Sequence, residues 1–381
     1  MSFSTAVRHL RDYVAIPSVN PMGRSDIDER WVGEARYAER VHQDLRRLGV
    51  DSVLVGAGSR RSVVGQARAS RAAETLLVAS HLDTVPVDNM IIDPFDPVLK
   101  DGRLFGRGSC DTKAGMAALL AALERVTGRG TLARNLVIVG EADEESSGSI
   151  GVRDVLAHLE GSRVDWSIAT EPTELRIVNA HKGTAMARLE AHGRACHSSD
   201  PARGKNAIVG LAHAILALES LGSELRQHAH AGLGHATLSV GLIGGGQAPN
   251  IVPDRAWLAM DRRTLPGDTS ESITREIEAA LARAGVADVH VELFMGKEPL
   301  YLAPEHAAFQ ACRRALERCG CEAAPASVAF GTDAGLFARA GIPSLVLGPG
   351  SIDRAHTEDE YVEVDQLEQM VAVFEQLLEG V

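Results

Sequence analysis

Thr75-Leu-Leu-Val-Ala-Ser-His-Leu-Asp-Thr-Val-Pro86 joins a short apolar run to a histidine and an aspartate. Residues 75–80 are apolar on both faces, which is typical of a central strand in a parallel sheet. His81 and Asp83 follow at the carboxyl end of that strand, where open α/β sheets bind their ligands. On an extended chain these two side chains share a face, with Cα atoms about 6.5 Å apart. The pattern predicts that one residue binds a metal while the other orients it, although an isolated His-x-Asp can also be a simple polar strand end.

Three more apolar runs lead into acids or a histidine. Residues 136–139 precede Glu141-Ala-Asp-Glu-Glu145, residues 166–170 precede Glu171-Pro172, and residues 344–347 lead toward His356. The carboxyl ends of parallel strands meet at one edge of a sheet, so these polar groups should converge there. Charges placed only for solubility would not follow the ends of strands. We therefore expect a buried metal site at this edge.

The order of the predicted elements indicates two domains. At 381 residues the chain exceeds the usual size of a single hydrophobic core. Residues 1–180 give the order helix, strand, strand, helix, strand, and residues 292–381 return to helix, strand and a terminal amphipathic helix. Residues 181–291 instead contain alternating strands and an alanine–leucine helix, with Gly244-Gly-Gly246 as a turn. The sequence predicts an α/β fold: a layered catalytic domain with a central, mostly parallel sheet, and an inserted, smaller α+β domain with an antiparallel sheet.

Composition excludes several classes of partner. The chain has 39 Lys plus Arg against 51 Asp plus Glu, a net charge of −12, and no basic stripe with aromatics, which argues against nucleic acid and anionic membranes. Its five cysteines lack zinc-finger or redox spacing, so we expect a reduced, cytoplasmic protein. Residues 1–20 carry Arg8, Arg11 and Asp12 and no uninterrupted apolar core, which argues against a signal peptide or a membrane anchor, and we predict an amphipathic helix in the part up to Pro17.

Asp111 ends the glycine-containing segment Gly106-Arg-Gly-Ser-Cys-Asp111, just before a helix that should begin near Lys113. Its simplest interpretation is a helix N-cap. Beside a metal site, however, the glycines allow close approach of the backbone, and a carboxylate with two oxygens can bridge two cations. Cys110 is a conceivable soft ligand or a small packed thiol.

Glu144 and Glu145 are adjacent acids that could simply form a solvated loop. Neighbouring side chains in a loop point in different directions, so one carboxylate can bind a metal while the other takes a proton. Metal coordination lowers the pKa of bound water from roughly 15.7 to about 7, and a nearby carboxylate can then act as general base. The pair therefore has the residue types that hydrolysis by activated water requires.

Glu171 and His356 complete the candidate set, with a strand exit and a surface histidine as their alternative interpretations. Two divalent cations balanced by Asp111, Glu145, Glu171 and one hydroxide would form a neutral centre, which favours a two-metal hydrolytic site. The signatures of other hydrolases and nucleotide-binding proteins are missing from the sequence: there is no His-Glu-x-x-His, no Gly-x-Ser-x-Gly and no phosphate-binding glycine loop.

These motifs together resemble the di-zinc amidohydrolase and metallopeptidase family that contains acetylornithine deacetylase, succinyl-diaminopimelate desuccinylase, aminoacylases and glutamate carboxypeptidases. The resemblance spans nearly the whole chain. It is carried by His81-Leu-Asp-Thr-Val-Pro86, Gly106-Arg-Gly-Ser-Cys-Asp-Thr-Lys113, Ala142-Asp-Glu-Glu145, Glu171-Pro-Thr173 and His356.

The resemblance implies a role for each residue of the candidate site. Two divalent metal ions, zinc or in its place cobalt, would share Asp111 as a bridge, with His81 and Glu171 on one ion and Glu145 and His356 on the other. Asp83 would orient His81, and Glu144 would be the general base. The family also implies a cis peptide bond between Asp111 and Thr112.

Four further segments are similar to the acetylornithine deacetylase branch of the family. They are His181-Lys-Gly183, His197-Ser-Ser-Asp-Pro-Ala-Arg-Gly204, Leu265-Pro-Gly267 and Leu347-Gly-Pro-Gly-Ser-Ile352. By position, the resemblance implies that His197 serves an active site, in its own subunit or across a homodimer formed by the inserted domain. Asn250 and Arg263 would bind the substrate carboxylate. The alternatives are a cap in a serine-rich turn for His197, a turn residue for Asn250 and a solvated charge for Arg263.

Two positions depart from that branch and bear on substrate choice. Asp333, in Phe330-Gly-Thr-Asp-Ala-Gly335, replaces a glutamate at a predicted substrate-binding position, and Arg354 adds a cation beside His356. We expect metal-dependent hydrolysis of an N-acyl amino acid, with N2-acetylornithine first among the substrates. The alternatives are acetylcitrulline, succinyl-diaminopimelate or a peptide with a free carboxyl end, and, in a different class, a ligand-binding relative without activity.

Overall fold

The computed structural model describes residues 3–146 and 148–380. Its helices are α1 (Thr5–Val14), α2 (Ala35–Arg47), α3 (Lys113–Arg129), α4 (Ile150–His158), α5 (Ala207–Leu225), α6 (Ser270–Arg283), α7 (Ala307–Arg318), α8 (Ala334–Arg339) and α9 (Val364–Leu378). Its strands are β1 (Asp51–Ala57), β2 (Arg60–Ala67), β3 (Thr75–His81), β4 (Val98–Lys100), β5 (Arg103–Phe105), β6 (Asn135–Glu141), β7 (Trp166–Ala169), β8 (Ile177–His181), β9 (Gly183–His192), β10 (Cys196–His197), β11 (Ala229–His230), β12 (Gly234–His235), β13 (Thr237–Gly245), β14 (Ile251–Val252), β15 (Arg255–Thr264), β16 (Val289–Met295), β17 (Leu300–Tyr301), β18 (Pro325–Val328), β19 (Ser344–Val346) and β20 (Tyr361–Glu363).

The chain forms two compact units. The first contains the described residues up to Asn179, Tyr301–Ser327 and the described residues from Thr332 onward. The second contains Ala180–Leu300 and the short return Val328–Gly331. The smaller unit is therefore inserted into the sequence of the larger one.

The large sheet has the strand order β1-β2-β6-β3-β7-β19-β8-β17. Strand β3 runs parallel to β6 and β7, and β19 runs parallel to β7, which confirms the predicted parallel centre. The hairpin β1–β2 joins one edge in antiparallel fashion. Because His81 pairs in register with Glu141, the residues that follow β3 and β6 emerge at the same edge.

The first unit is layered because both faces of its central strands are apolar. Leu76 and Val78 of β3 pack on one face with α1, α3 and α9. Leu77 and Ala79 pack on the other face with α4 and with Phe337 of α8. This is the helix–sheet–helix arrangement that a strand buried on both sides requires.

The terminal helix α9 buries the face that the sequence predicts, and its inward residues are all inaccessible to solvent: Leu367, Met370, Val371, Phe374 and Leu377. The predicted order of elements for residues 1–180 was incomplete: it has two helices and three strands, whereas the described residues before β8 form the four helices α1–α4 and the seven strands β1–β7. Helix α2 is rich in charge and buries only a narrow stripe around Tyr37, Val41 and Leu45, so its pattern is weak in the sequence.

The second unit is built on an antiparallel sheet with the order β13-β15-β9-β16. Alternate residues of β9, among them Ala187 and Leu189, are buried against α5 and α6. Helix α5 has the length and the mean hydropathy of a candidate membrane span, but it buries Leu211 and Leu218 in this core and is a core helix. This unit therefore confirms the predicted antiparallel sheet with helices on it.

The glycines 244–246 do not form the isolated turn that the sequence predicts. Strand β13 continues through Gly245, and Gly244 pairs with Trp257 of β15. A Cβ at Gly244 would lie 2.9 Å from the indole ring of Trp257. The glycine keeps the strand regular while the ring lies over it, and only Gly246 is in the loop.

Candidate metal centre

Asp111 lies between two histidines, and each of its carboxylate oxygens faces one of them. Oδ1 is 2.9 Å from Nε2 of His81, and Oδ2 is 3.2 Å from Nε2 of His356. The aspartate is buried in the turn that precedes α3. Its peptide bond to Thr112 is cis, as the resemblance implies. A carboxylate in this position presents one oxygen to each of two ligand sets.

Two more carboxylates complete these sets. Nε2 of His81 is 3.8 Å from Oε2 of Glu171, and Nε2 of His356 is 3.3 Å from Oε2 of Glu145. Zinc bonds of about 2.0–2.2 Å in tetrahedral geometry place ligand atoms about 3.3 Å apart, so these separations suit ligands that share an ion. Within the described residues, His81, Asp111 and Glu145 also form a group with ligand atoms within 4.8 Å of one another. The structure thus brings all five predicted metal ligands together.

Close packing holds the turn of Asp111 against the end of β7. The hydroxyl of Thr112 donates a hydrogen bond to the carbonyl of Thr170, the residue before Glu171. Gly115, in the first turn of α3, faces the same threonine, and a Cβ there would lie 2.2 Å from Oγ1 of Thr170. A glycine is required because the helix approaches the strand end this closely. Asp111 and Glu171 are therefore held on adjoining pieces of backbone.

The protonation of the site follows from these contacts. Burial opposes a charge on His81, but the hydrogen bond with Asp111 and the nearby carboxylates of Asp83 and Glu171 outweigh it and raise the pKa of His81 well above its usual value. The hydrogen bonds of Asp111 and Glu145 raise the pKa of His356 to about 10. Although burial acts to raise the pKa of Asp111, the two histidines hold it well below its ordinary value. Without cations, both imidazoles carry protons that metal ions would displace.

Asp83 holds the loop of Glu144 and Glu145 as well as His81. Its Oδ1 accepts the backbone N–H of Glu144 at 3.1 Å, and its Oδ2 accepts that of Glu145 at 2.9 Å. Nδ1 of His81 lies 3.0 Å from the backbone carbonyl of Asp83 and 3.6 Å from its carboxylate. The ring is thus oriented chiefly by the carbonyl, while the carboxylate also fixes the neighbouring loop, which the spacing in the sequence did not suggest.

Asn20 is a supporting residue that the motifs did not identify. Its Nδ2 donates at 2.9 Å both to Asp83 and to Asp143, and Arg60 forms an ion pair with Asp143. Asn20 is fully buried. Because it lies 63 residues from Asp83 in the sequence, no local pattern could indicate this contact.

The predicted substrate contacts His197, Asn250 and Arg263 lie in the second unit. His197 is exposed on the two-residue strand β10, and the backbone N–H of Ser198 donates to the carbonyl of Asn250 at 3.1 Å, so the first two are neighbours. Nδ1 of His197 accepts the backbone N–H of Ser199 at 3.1 Å. Arg263 lies on β15, with its guanidinium 3.0 Å from Asp261.

Asp333 lies in the first unit, immediately before α8. Its side chain has no exposed surface, and Oδ1 accepts the hydroxyl of Ser149 at 2.7 Å. Ser149 immediately precedes α4, and its backbone N–H donates to the carbonyl of Asp143, just before Glu144 and Glu145, at 2.9 Å. Asp333 therefore reaches the acidic loop through Ser149.

Residues 77–380 match the pattern of peptidase family M20/M25/M40, a range that includes all five metal-ligand candidates. The chain belongs to this family. Its M20 assignment makes it a metallohydrolase, in agreement with the cluster around Asp111. The predicted kinship with di-zinc amidohydrolases and metallopeptidases is thereby confirmed.

Relatives of this M20 protein include deacetylases and peptidases. It is 34% identical over 320 residues to an acetylornithine deacetylase from Erwinia tasmaniensis, covering 80% of each chain. It shares its fold with the aminopeptidase PepT from Bacillus cereus, with a TM-score of 0.79, 21% identity and coverage of 98% and 97% of the two chains. A Bacillus subtilis protein described as a dinuclear metal-binding M20 peptidase superposes with a TM-score of 0.72 at 14% identity, covering 98% and 96%. Members of this family thus bind metal pairs.

Proposed function

We propose that the chain is a metal-dependent amidohydrolase that removes the acetyl group from the α-nitrogen of an amino acid, with N2-acetylornithine as the substrate. The observation that supports a hydrolase is that the two carboxylate oxygens of Asp111 face two separate groups of candidate ligands, each with one histidine and one glutamate. The choice of substrate is supported by the 34% identity to an acetylornithine deacetylase over most of both chains.

Five side chains would hold two divalent ions, with Asp111 shared, His81 and Glu171 on one ion, and Glu145 and His356 on the other. Imidazole and carboxylate donors suit zinc and accept cobalt. When bound, such a pair supplies Lewis acidity toward the amide carbonyl and lowers the pKa of water. The half-exposed side chain of His356 leaves this side of the site open to a small substrate.

Glu144 is the proposed general base. It is almost completely buried, and its backbone is fixed by Asp83 next to the proposed ligand Glu145. A carboxylate held there can take a proton from the attacking water and pass it to the departing amine nitrogen. Burial opposes the negative charge of Asp83, but the nearby imidazole of His81 and the hydrogen bond from Asn20 outweigh it and lower the pKa of Asp83, so this support stays ionised.

His197 is proposed to stabilise the oxyanion. Because its Nδ1 accepts the N–H of Ser199, the neutral ring carries its proton on Nε2, which is then a donor for a developing negative charge. Asn250 and Arg263 are proposed to bind the substrate carboxylate, a role to which a guanidinium is suited. A His197→Ala variant should lose kcat while still binding two metal ions; unchanged kcat would exclude the role.

Asp333 is proposed to influence substrate choice indirectly. Since its side chain is buried and bonded to Ser149, its effect would pass through the start of α4 to the acidic loop. Asp333→Glu lengthens the acid by one methylene and should alter the ratio of kcat/KM between acyl substrates. Identical ratios in the two proteins would remove Asp333 from this role.

We further propose a homodimer formed through the inserted unit. Leu216 on α5 and Leu242 and Ile243 on β13 are exposed, and β13 is an edge strand whose outer backbone groups can pair with a second copy. Light scattering should show a dimer that Leu216→Asp weakens, and a monomer at all concentrations would exclude it.

The five free cysteines support a cytoplasmic location.

A substrate panel tests the proposed reaction. The metal-reconstituted enzyme is assayed on N2-acetylornithine, N-acetylcitrulline, N-succinyl-diaminopimelate and a set of dipeptides. We expect the highest kcat/KM on N2-acetylornithine. No turnover of this compound with turnover of another panel member would transfer the function to that substrate, and no turnover of any would favour a ligand-binding relative without activity.

A further inference from the structure

Arg107 and Glu360 form a fully buried ion pair behind the candidate metal centre. Their side chains are 1% and 0% exposed, and Nη1 of Arg107 lies 2.6 Å from Oε2 of Glu360. Neither residue belongs to the ligand set. A buried ion pair contributes little net stability because both charges lose their hydration, so its position calls for a local explanation.

The second oxygen of Glu360 holds the backbone of the proposed bridging residue. Oε1 accepts the N–H of Cys110 at 2.9 Å and the N–H of Asp111 at 3.0 Å. Two consecutive amides on one carboxylate oxygen fix the orientation of the peptide unit between them. The Asp111 side chain leaves the backbone at this point, so its direction depends on Glu360.

Arg107 extends the contact to the other side of the site. Its Nη2 donates to Oδ1 of Asn89 at 3.3 Å and to the carbonyl of Pro86 at 3.4 Å. Nδ2 of Asn89 in turn donates to the backbone carbonyl of His356 at 3.0 Å. A continuous path of hydrogen bonds thus joins the backbone of Asp111 to the backbone of His356.

We propose that Glu360, Arg107 and Asn89 are positioning residues that set the distance between Asp111 and His356 and thereby the affinity for the metal pair. This inference rests on the proposed function, because it takes these two residues as ligands. Ligand atoms must lie within about 0.2 Å of their bonding distances, whereas Asp111 and His356 lie on segments 245 residues apart by their numbers. Groups that orient metal ligands typically change metal affinity or activity 10–100-fold when removed.

Two double variants separate the hydrogen-bond acceptor from the charge. R107M/E360Q removes both charges but keeps an oxygen for the two amides, whereas R107M/E360L has nearly the same shape without an acceptor. Zn²⁺ affinity is measured by competition with a chelator, and the visible spectrum of the Co²⁺ form reports the geometry. We expect R107M/E360L to bind Zn²⁺ at least about 10-fold more weakly than R107M/E360Q, with an altered Co²⁺ spectrum.

Two single variants protect this test against misfolding. Asn89 is exposed, so Asn89→Ala should fold normally and still weaken Zn²⁺ binding. Asp44→Asn is the matched control, because it removes a buried negative charge beside Arg40 and Tyr13, away from the site, and should leave Zn²⁺ affinity unchanged. Thermal unfolding without metal measures the structural cost of each change.

The proposal would be overturned if the two double variants had equal Zn²⁺ affinity and the same Co²⁺ spectrum, and if Asn89→Ala bound Zn²⁺ as tightly as the wild type. Zn²⁺ binding is read without substrate. A wild-type protein that binds two ions but does not hydrolyse N2-acetylornithine would therefore contradict only the proposed substrate. The positioning role would stay supported by the difference between the variants.

Discussion

Oδ1 of Asp83 accepts the backbone N–H of Glu144 at 3.1 Å. A residue that follows β3 therefore fixes the backbone of the proposed general base, which follows β6. Oδ2 holds Glu145 in the same way. Asp83 is fully buried and also faces His81. One carboxylate therefore contacts two proposed metal ligands, His81 and Glu145, and the backbone of the proposed general base, Glu144.

Asp83→Asn should impair both metal binding and turnover. The amide group has one oxygen where the carboxylate has two, so one of the loop amides loses its acceptor, and the negative charge beside His81 is lost. We expect a 10–100-fold loss of Zn²⁺ affinity or of kcat. Chelator competition and steady-state kinetics measure the two effects, and wild-type values for both would show that Asp83 does not orient this site.

Glu144→Gln should abolish most activity and leave the metal pair in place. The substitution keeps the shape of the side chain but removes its ability to take a proton, which typically costs a factor of about 10²–10⁴ in rate. Metal content is measured by elemental analysis of the same sample that is assayed. Near-normal turnover with two ions bound would contradict the assignment of Glu144 as the base.

Metal binding should release protons, and metal affinity should fall as the pH is lowered. In the metal-free protein the pKa of His356 is raised to about 10 and that of His81 is raised well above its usual value, so both are protonated at pH 7 and must lose their protons to bind a cation. Calorimetry in buffers of different ionisation enthalpy should give about two protons from the histidines at pH 7, and up to about one more from metal-bound water.

His356→Gln should release one proton fewer than the wild type. His290→Gln is the control for this experiment, because that histidine is exposed in the inserted unit and should not change the number. If the heat of binding is the same in all buffers, the histidines are not protonated before the metal binds, and the predicted pH dependence is wrong.

Glu34 should make the metal-free protein less stable as the pH rises. Burial and, after it, the charge of Asp83 raise the pKa of Glu34 from 4.5 to about 8. The stability that its protonated form contributes is fully present below pH 4.5 and is lost as the pH rises toward 8, by at most about 1.4 kcal/mol per pH unit.

Urea unfolding of the metal-free protein between pH 5 and 9 tests this dependence of the free energy of unfolding on pH. Glu34→Gln mimics the protonated acid, so the stability of the wild type should fall relative to this variant between pH 5 and about 8 and level off above it. Glu39 is an exposed acid on α2, the helix that Glu34 immediately precedes, and Glu39→Gln should follow the wild type. Parallel curves for wild type and Glu34→Gln would contradict the raised pKa.

The positions of most of the proposed metal ligands could be predicted from the sequence because those residues follow a recognisable local pattern. Residues 75–80 are apolar on both faces, and that pattern alone predicts a central strand with His81 at its carboxyl end, as β3 has. Asp111 is preceded by glycines and followed by a clear helix. These signals are local, so one sequence suffices to read them.

The supporting residues could not be predicted because their partners are distant in the chain. Glu360 lies four residues after His356 in an ordinary acidic segment, and its contacts with Cys110 and Asp111 cross about 250 positions. Asn20 likewise contacts Asp83 and Asp143 only in the folded chain. Such roles depend on packing rather than on local pattern.

Metal stoichiometry tests the central claim most directly. The wild-type chain is stripped with a chelator, reconstituted with Zn²⁺ or Co²⁺, freed of excess metal and analysed for bound ions per chain, beside Asp111→Ala. Because both oxygens of Asp111 face a ligand set, we predict two ions per wild-type chain and the loss of both high-affinity sites in the variant. Fewer than two ions on the wild type, or two ions still tightly bound to Asp111→Ala, would contradict a bridged two-metal centre.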